Sequence, residues 1–293
     1  MRAWMFHRPG ADLELVDIEA PHPDTGQVVV RVVAAGLCHS DVGFVDGEIS
    51  HLLHTMPIVL GHEVAGIIEE IGPGVSGYEV GDRVVIAGRG LDAPGIRRHG
   101  GFGELCIAPA EQLVIVPAGV AMEMAATSTD AGMTAYHAVM SVGGVQAGWR
   151  VGILGLGGLG LTGARLAVLA GAEVKAAEPN VSKWTRAEQL GVSDCRISAD
   201  ELAGLDLDLV VDFAGVNTTQ AAIAAVRPGG TVVQVGLGQA EATVSTLMLV
   251  EKQVRLLGSL GGERHETQSV LELMSRGDLA IKTSTIAFSD IPK

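Results

Sequence analysis

Two short stretches carry side chains suited to a soft metal ion. "GLCHSD" (residues 36–41) presents Cys38, and "GHE" (61–63) presents His62 and Glu63 twenty-four positions further on. Thiolate, imidazole and carboxylate are the donors that zinc accepts at tetrahedral positions, and a site that keeps one position open for substrate takes three of them from the protein. The third ligand must come from elsewhere in the chain. Cys106 sits inside the strand-like "GELCIAP", where a small soft residue packs ordinarily. Cys195 follows a strand-like run in the other half of the chain. Asp130, in "TSTDAGMTAYHA", opens the helix that joins the halves and is the expected third ligand. Its carboxylate and one thiolate cancel the two charges of zinc as two thiolates would. Asp is also a good helix N-cap, so Asp130→Asn separates the readings: a cap tolerates Asn, whereas a metal site loses a charge.

These side chains need elements to hold them. Residues 1–120 read as short β-branched runs between Gly and Pro: "QVVVRVVAAG" (27–36), "VAGIIEEIG" (64–72), "DRVVIAG" (82–88) and "ELCIAP" (104–109). They imply a β-rich, partly closed barrel. After Met122, "MEMAATSTDAGMTAYHAVM" has helical spacing. From Trp149 onward strand-like and helical runs alternate, among them the helical "TQAAIAAVRPGG", which implies βαβ units and a parallel sheet covered on both faces. The expected fold is α/β: a doubly wound Rossmann sheet plus a β-rich domain. Residues 1–128, rejoined by 264–293, form the catalytic domain, and 129–263 the dinucleotide-binding domain. No Gly/Ser-rich or Pro-rich linker separates them, so a shared interface with a cleft is expected.

"VGILGLGGLG" places Gly155, Gly157 and Gly160 as G-x-G-x-x-G directly after an apolar strand and before a helix. Gly155 would make the tight turn, Gly157 would admit a pyrophosphate, and Gly160 would let helix and strand approach closely. Glu178 ends the next strand, twenty-one residues after Gly157. A carboxylate there accepts bonds from both adenosine ribose hydroxyls and repels a 2′-phosphate, which favours NAD over NADP. Gly158 and Lys183 complete the expected cofactor-binding set. The competing reading is an ordinary strand–helix turn with an exposed acid.

Composition narrows the function classes. A net charge of −14 over 293 residues argues against nucleic acid as a partner. Three scattered cysteines cannot build a disulfide framework and favour a cytoplasmic location. The start "MRAWMFHRPG" lacks the apolar core of a signal peptide. The most apolar window, Val151–Ala172, contains Arg165 and repeated glycine and is not read as membrane-spanning.

Taken in order, "GLCHSD", "GHEVAGIIEEIGPGVSGYEVGDRV", "GLGGLG" and "TVVQVGL" resemble the zinc-dependent medium-chain alcohol dehydrogenases through nearly the whole chain. The "DAG-T-YHA" string resembles bacterial secondary-alcohol enzymes whose third zinc ligand is Asp. The resemblance implies a GroES-like catalytic domain and catalytic zinc on Cys38, His62 and Asp130, with Glu63 able to approach the metal. It implies that Asp41 orients His62, that Ser40 takes the alcohol proton, that His39 contacts the cofactor pyrophosphate, and that Thr134 lies near the nicotinamide. It also implies a homo-oligomer, dimer or tetramer. Where the family often carries a four-cysteine structural-zinc lobe, "GRGLDAPGIRRHGGFG" (88–103) has no cysteine, so one catalytic zinc and no structural zinc is expected. Members usually continue past "FSDIPK" with a further helix and strand. A relay histidine found in some members is Gly43 here, leaving the final proton acceptor open, with His51 and His54 as candidates.

The expected activity is reversible hydride transfer between a primary or secondary alcohol and NAD. The alternatives are a zinc-dependent polyol or amino-alcohol dehydrogenase, a zinc-free enone or quinone reductase, and a non-catalytic nucleotide-binding protein. The apolar run "HLLHTMPIVL" suggests a pocket poor in polar groups, which weighs against a polyol substrate.

Overall fold

A computed structural model of the chain describes residues 1–88 and 90–292. Arg89 of the 88–103 loop and Lys293 of "FSDIPK" lie outside the described residues. The chain divides into two units, Met1–Met133 with Gly262–Lys293, and Thr134–Gly261.

The first unit is built on two antiparallel sheets. Strands β1 (Arg2–Phe6), β2 (Glu14–Asp17), β3 (Gln27–Gly36), β4 (Ile58–Val59), β5 (Glu63–Ile71), β6 (Arg83–Ile86), β7 (Leu105–Pro109) and β8 (Leu113–Ile115) form a three-stranded sheet, β2-β1-β4, and a five-stranded one, β7-β3-β5-β6-β8. Alternating apolar residues supply the inner face: Val28, Val30, Val64, Ile68, Val84, Ile86 and Leu113 form one buried cluster. A second cluster gathers Phe6, Phe44, Leu53, Ile58, Val59, Leu60 and Phe102. Burying each such side chain contributes roughly 1.5–3 kcal/mol. Helix α1 (His39–Asp46) lies between β3 and β4 in the chain.

The register of β3 against β5 matters most for function. It pairs Ala35 with Val64 and Gly36 with Glu63. The end of β3 therefore lies beside the start of β5, and two motifs far apart in sequence become neighbours.

The helical spacing of residues 122–140 yields a broken rod rather than one helix. Helix α2 (Met122–Ala126) runs into a 3-10 turn, Thr127–Thr129, then α3 (Ala131–Tyr136) and a π turn, His137–Val142. The cause is local. The hydroxyls of Thr127, Ser128 and Thr129 each donate to the carbonyl three residues earlier, on Met124, Ala125 and Ala126, and such bonds compete with the helical ladder. Asp130, at φ −132° and ψ −76°, stands at the break.

The second unit is a six-stranded sheet in the order β11-β10-β9-β12-β13-β14, parallel at every pairing. Its elements are β9 (Arg150–Leu154), α4 (Gly158–Leu169), β10 (Glu173–Ala177), α5 (Trp184–Gln189), β11 (Asp194–Arg196), β12 (Leu207–Asp212), α6 (Thr219–Ala225), β13 (Val226–Gln234), α7 (Thr246–Lys252) and β14 (Arg255–Gly258). The direction of winding reverses between β9 and β12, the crevice where doubly wound folds bind ligands. One boundary differs from the pattern read above. The run "TQAAIAAVRPGG" stops being helical at Ala225, and β13 begins at Val226. Pro228 has no N–H to donate, and the pairing of β13 with β12 slips between Leu207 and Leu209. Helix α8 (Arg264–Ser275) belongs to the first unit and packs against β8.

Candidate functional site

Three segments of the first unit converge. The end of β3 leads through Leu37 to Cys38, which caps α1; His62 immediately precedes β5 and Glu63 opens it; and the turn before Asp130 packs on β5. Ligand atoms of Cys38, His62, Glu63 and Asp130 all lie within 4.8 Å of one another. Cys38 Sγ is 3.2 Å from Asp130 Oδ2, and His62 Nε2 is 3.8 Å from the same oxygen. Cys106, the competing thiol, is fully buried in β7 with its pKa pushed up to about 12 by burial, and Cys195 lies in the second unit.

The glycines beside these residues act in different ways. Gly61 adopts φ +91°, the left-handed region that favours glycine. Gly36 instead ends a strand: a Cβ there would stand 2.0 Å from Glu63 Oε2. Only a residue without a side chain lets the Glu63 carboxylate lie across β3. Reading the sequence alone missed this role; the signal was a glycine paired opposite an acid, visible only once register is known.

The electrostatics favour a cation. Burial pushes the Glu63 carboxyl up to about 8, with the negative charge of Asp130 adding to it. Burial likewise raises the Cys38 thiol, against a bond with His62 that lowers it. For His62, burial alone would lower the pKa, but Asp41, Asp130 and Cys38 together hold it well above 6.5. One imidazole faces a thiol and three carboxyl groups in a desolvated space, and a divalent ion is the charge that balances such a set. The donor types and their spacing fit zinc.

Asp41 serves two structures at once. Its Oδ2 accepts from the Cys38 N–H at 3.0 Å, closing a capping box at the start of α1, and its Oδ1 accepts from the Gly61 N–H at 3.3 Å. The same Oδ1 lies 3.4 Å from His62 Nδ1, a buried nitrogen with no hydrogen-bond partner of good geometry. A carboxylate on that side directs Nε2 toward the cluster. Ser40 Oγ lies 3.5 Å from Cys38 Sγ. His39 is exposed at the first position of α1, and His51 and His54 are exposed. The apolar run 51–60 does not behave as the sequence suggested. Leu53, Ile58, Val59 and Leu60 are spent in the core, because β4 pairs with β1 and is covered, so their character says little about a substrate.

The second unit holds the glycine turn. Gly155 adopts φ +83°, and a Cβ on Gly160 would stand 1.8 Å from the Gly155 carbonyl oxygen. A Cβ on Gly157 or Gly158 would meet nothing within 4 Å. Two glycines are therefore demanded by the chain itself, and two leave space at the N-terminus of α4, where a diphosphate would bind. Glu178 follows β10 and is buried. Its Oε2 accepts from the Leu156 N–H at 2.8 Å and from Lys183 Nζ at 3.0 Å, and its Oε1 from the Asn180 N–H at 3.0 Å. Burial alone would raise this carboxyl; the three donors outweigh it and hold it below the ordinary range. Thr134 is buried in α3.

A parallel sheet with a phosphate turn and a buried to half-buried four-residue donor set fit a metal-dependent dinucleotide oxidoreductase class. Residues 24–118 match the alcohol dehydrogenase GroES-like domain, and 158–276 the zinc-binding dehydrogenase family. An alcohol dehydrogenase of Geobacillus stearothermophilus is 30% identical over 94% of this chain and 90% of its own length. The crystal structure of the alcohol dehydrogenase from Aeropyrum pernix superposes with a TM-score of 0.90 at 27% identity, covering 99% of this chain and 94% of that one. The structure of acetophenone reductase from Geotrichum candidum, in complex with NAD, gives 0.91 at 28% identity over 99% and 91%. The chain belongs to the zinc-dependent medium-chain alcohol dehydrogenase family. Among the described residues, no helix is long and apolar enough to cross a membrane.

Proposed function

We propose that this chain catalyses reversible hydride transfer between a primary or secondary alcohol and NAD, with one catalytic zinc held by Cys38, His62 and Asp130. The observation that carries the reading is the donor set within 4.8 Å. When bound, zinc supplies a Lewis acid that polarises the substrate oxygen, and NAD supplies the hydride acceptor. The chain's own residues do the rest. Cys38 and Asp130 supply two negative charges and His62 a neutral nitrogen; Asp41 fixes which ring nitrogen of His62 faces the donors. Glu63, held against Gly36, stands close enough to exchange with a ligand. The Ser40 hydroxyl takes the alcohol proton while releasing its own toward bulk water, so that it ends the step neutral. Gly155, Gly157, Gly158 and Gly160 form the diphosphate seat, and Glu178 receives the ribose hydroxyls, with Lys183 beside it. His39 contacts the pyrophosphate and Thr134 the nicotinamide.

The relatives named above support the substrate class, since they are alcohol dehydrogenases or a ketone reductase. The three free cysteines support a cytoplasmic protein. A homo-oligomer of two or four chains is supported by β14, an edge strand whose four residues, Leu256 and Leu257 among them, are all exposed. The test is to strip metal with a chelator, restore zinc, and follow NADH formation with simple primary and secondary alcohols. Activity that disappears and returns is expected; full oxidation by the stripped protein would overturn the reading.

A further inference from the structure

His62 is aimed by more than Asp41. The segment from His99 to Phe102 runs beside Val59–Gly61 and is bonded to it along its length. Gly100 N–H donates to the Val59 carbonyl at 2.8 Å, Phe102 N–H to that of Leu60 at 3.0 Å, and Gly101 N–H to that of Gly61 at 2.8 Å. The remaining contact is a side chain: His99 Nδ1 accepts from the Val59 N–H at 3.0 Å. Val59 is fully buried, so its N–H has no solvent to turn to if that acceptor is removed. Gly61 is enclosed from the same side. A Cβ on Gly100 would stand 2.3 Å from its carbonyl oxygen, and a Cβ on Gly61 itself would stand 2.5 Å from the Phe102 ring.

The segment is anchored at its own base. Arg98 donates from Nε to the Ile107 carbonyl at 3.2 Å, from Nη1 to Asp92, and from Nη2 to Gln112, whose amide in turn donates to Asp92. The His99 carbonyl accepts from the Cys106 thiol at 3.5 Å. His99 thus sits between a fixed base in β7 and the three residues that deliver His62. Burial lowers its pKa, which keeps the ring neutral and Nδ1 free to accept.

We propose that His99 is a positioning residue for the metal centre: by accepting the Val59 N–H it fixes the Val59–Gly61 run, and with it the placement of His62 among the other donors. This rests on the reading of Cys38, His62 and Asp130 as the metal-binding set. Nothing in residue type announces it, because the bonds described for His99 run to Val59 and Cys106 rather than to that set. Loss of the bond leaves a buried N–H unpaired, and part of that penalty falls on the geometry of the site.

The experiment uses the full chain, freed of metal and titrated with Co²⁺, reading affinity and the visible ligand-field bands. Three variants are compared with the parent: His99→Leu removes the acceptor and keeps bulk, His99→Ala removes both, and His99→Asn offers a carbonyl oxygen near the position of Nδ1. About tenfold weaker Co²⁺ binding with shifted bands is expected for His99→Leu, or for His99→Ala should the first not fold. Recovery to within about threefold is expected for His99→Asn. Equal affinity and unchanged bands in parent and His99→Ala overturn the proposal while leaving the metal reading intact. A loss in His99→Asn as large as in His99→Ala also overturns it. A parent chain that binds no Co²⁺ removes the metal reading itself, a distinct result.

Discussion

The half proposed to hold the metal and the half proposed to hold the dinucleotide would solve the same problem, holding a charged group, in opposite ways. In the second unit the seat is contiguous: Gly155 to Gly160 supply turn, space and close packing within six positions. In the first, no stretch holds the site. Cys38, His62 and Asp130 come from the turn after β3, the residue before β5 and a break between short helices; the β3–β5 register brings the first two together, and packing of the turn before Asp130 on β5 brings in the third. A contiguous seat tolerates change around it; an assembled one depends on every element that sets register.

That contrast can be broken at Asp130. Asp130→Asn should leave the thermal midpoint nearly unchanged, lower zinc content, and reduce alcohol oxidation by roughly 10²–10³-fold. Full zinc occupancy with full turnover would reduce Asp130 to a helix-break residue. Next come the two kinds of glycine. Gly160→Ala forces a methyl into the Gly155 carbonyl and should destabilise the fold by about 3 kcal/mol in denaturant unfolding. Gly36→Ala, against the movable end of Glu63, should cost about 1–2 kcal/mol and weaken metal binding. Gly157→Ala is the sharpest contrast with Gly160→Ala. Stability should stay within about 0.5 kcal/mol, while NADH affinity falls about tenfold, near 1.4 kcal/mol. Equal behaviour of the two alanine variants in both measurements would remove the distinction between packing and seating glycines.

The smallest expected effect concerns pH. Glu178 is held below the ordinary carboxylate range, so its stabilisation is fully present above the unfolded value near 4.5 and fades as pH falls through the lower folded value. Glu178→Gln should lose about 1 kcal/mol at neutral pH and show a flatter acid limb in unfolding experiments. The same substitution should weaken preference for NAD over NADP. A variant whose stability follows the parent at every pH would show that the three donors bring nothing to the fold.

The extent of legibility follows from the same contrast. Gly155, Gly157, Gly160 and Glu178 could be read in advance because a local motif and a fixed spacing encode one βαβ unit. Cys38, His62 and Asp130 could be singled out as residue types by chemistry and charge, and the structure brings them together with Glu63; that they hold a metal is the proposal made above. The role of Gly36 was not readable, because it depends on which residue lies across a strand pair, and neither was the contact of His99 with the Val59 N–H, which depends on how a loop folds against β4; no spacing in the chain records either. The apolar run 51–60 misled because hydrophobicity cannot separate a pocket wall from a core. The helical spacing at 122–140 was right in kind, with α3 starting directly after Asp130; the break before it was not legible, because it comes from three successive hydroxyls turned back onto their own carbonyls.

Asp41 carries a further consequence. Each of its two oxygens is committed to a different backbone N–H, one starting α1 and the other belonging to the residue before His62. An amide in its place has a single acceptor and can satisfy one of these but not both. Asp41→Asn therefore strands one of the two backbone N–H groups whichever way the amide turns, so the start of α1 and the approach to His62 cannot both be kept.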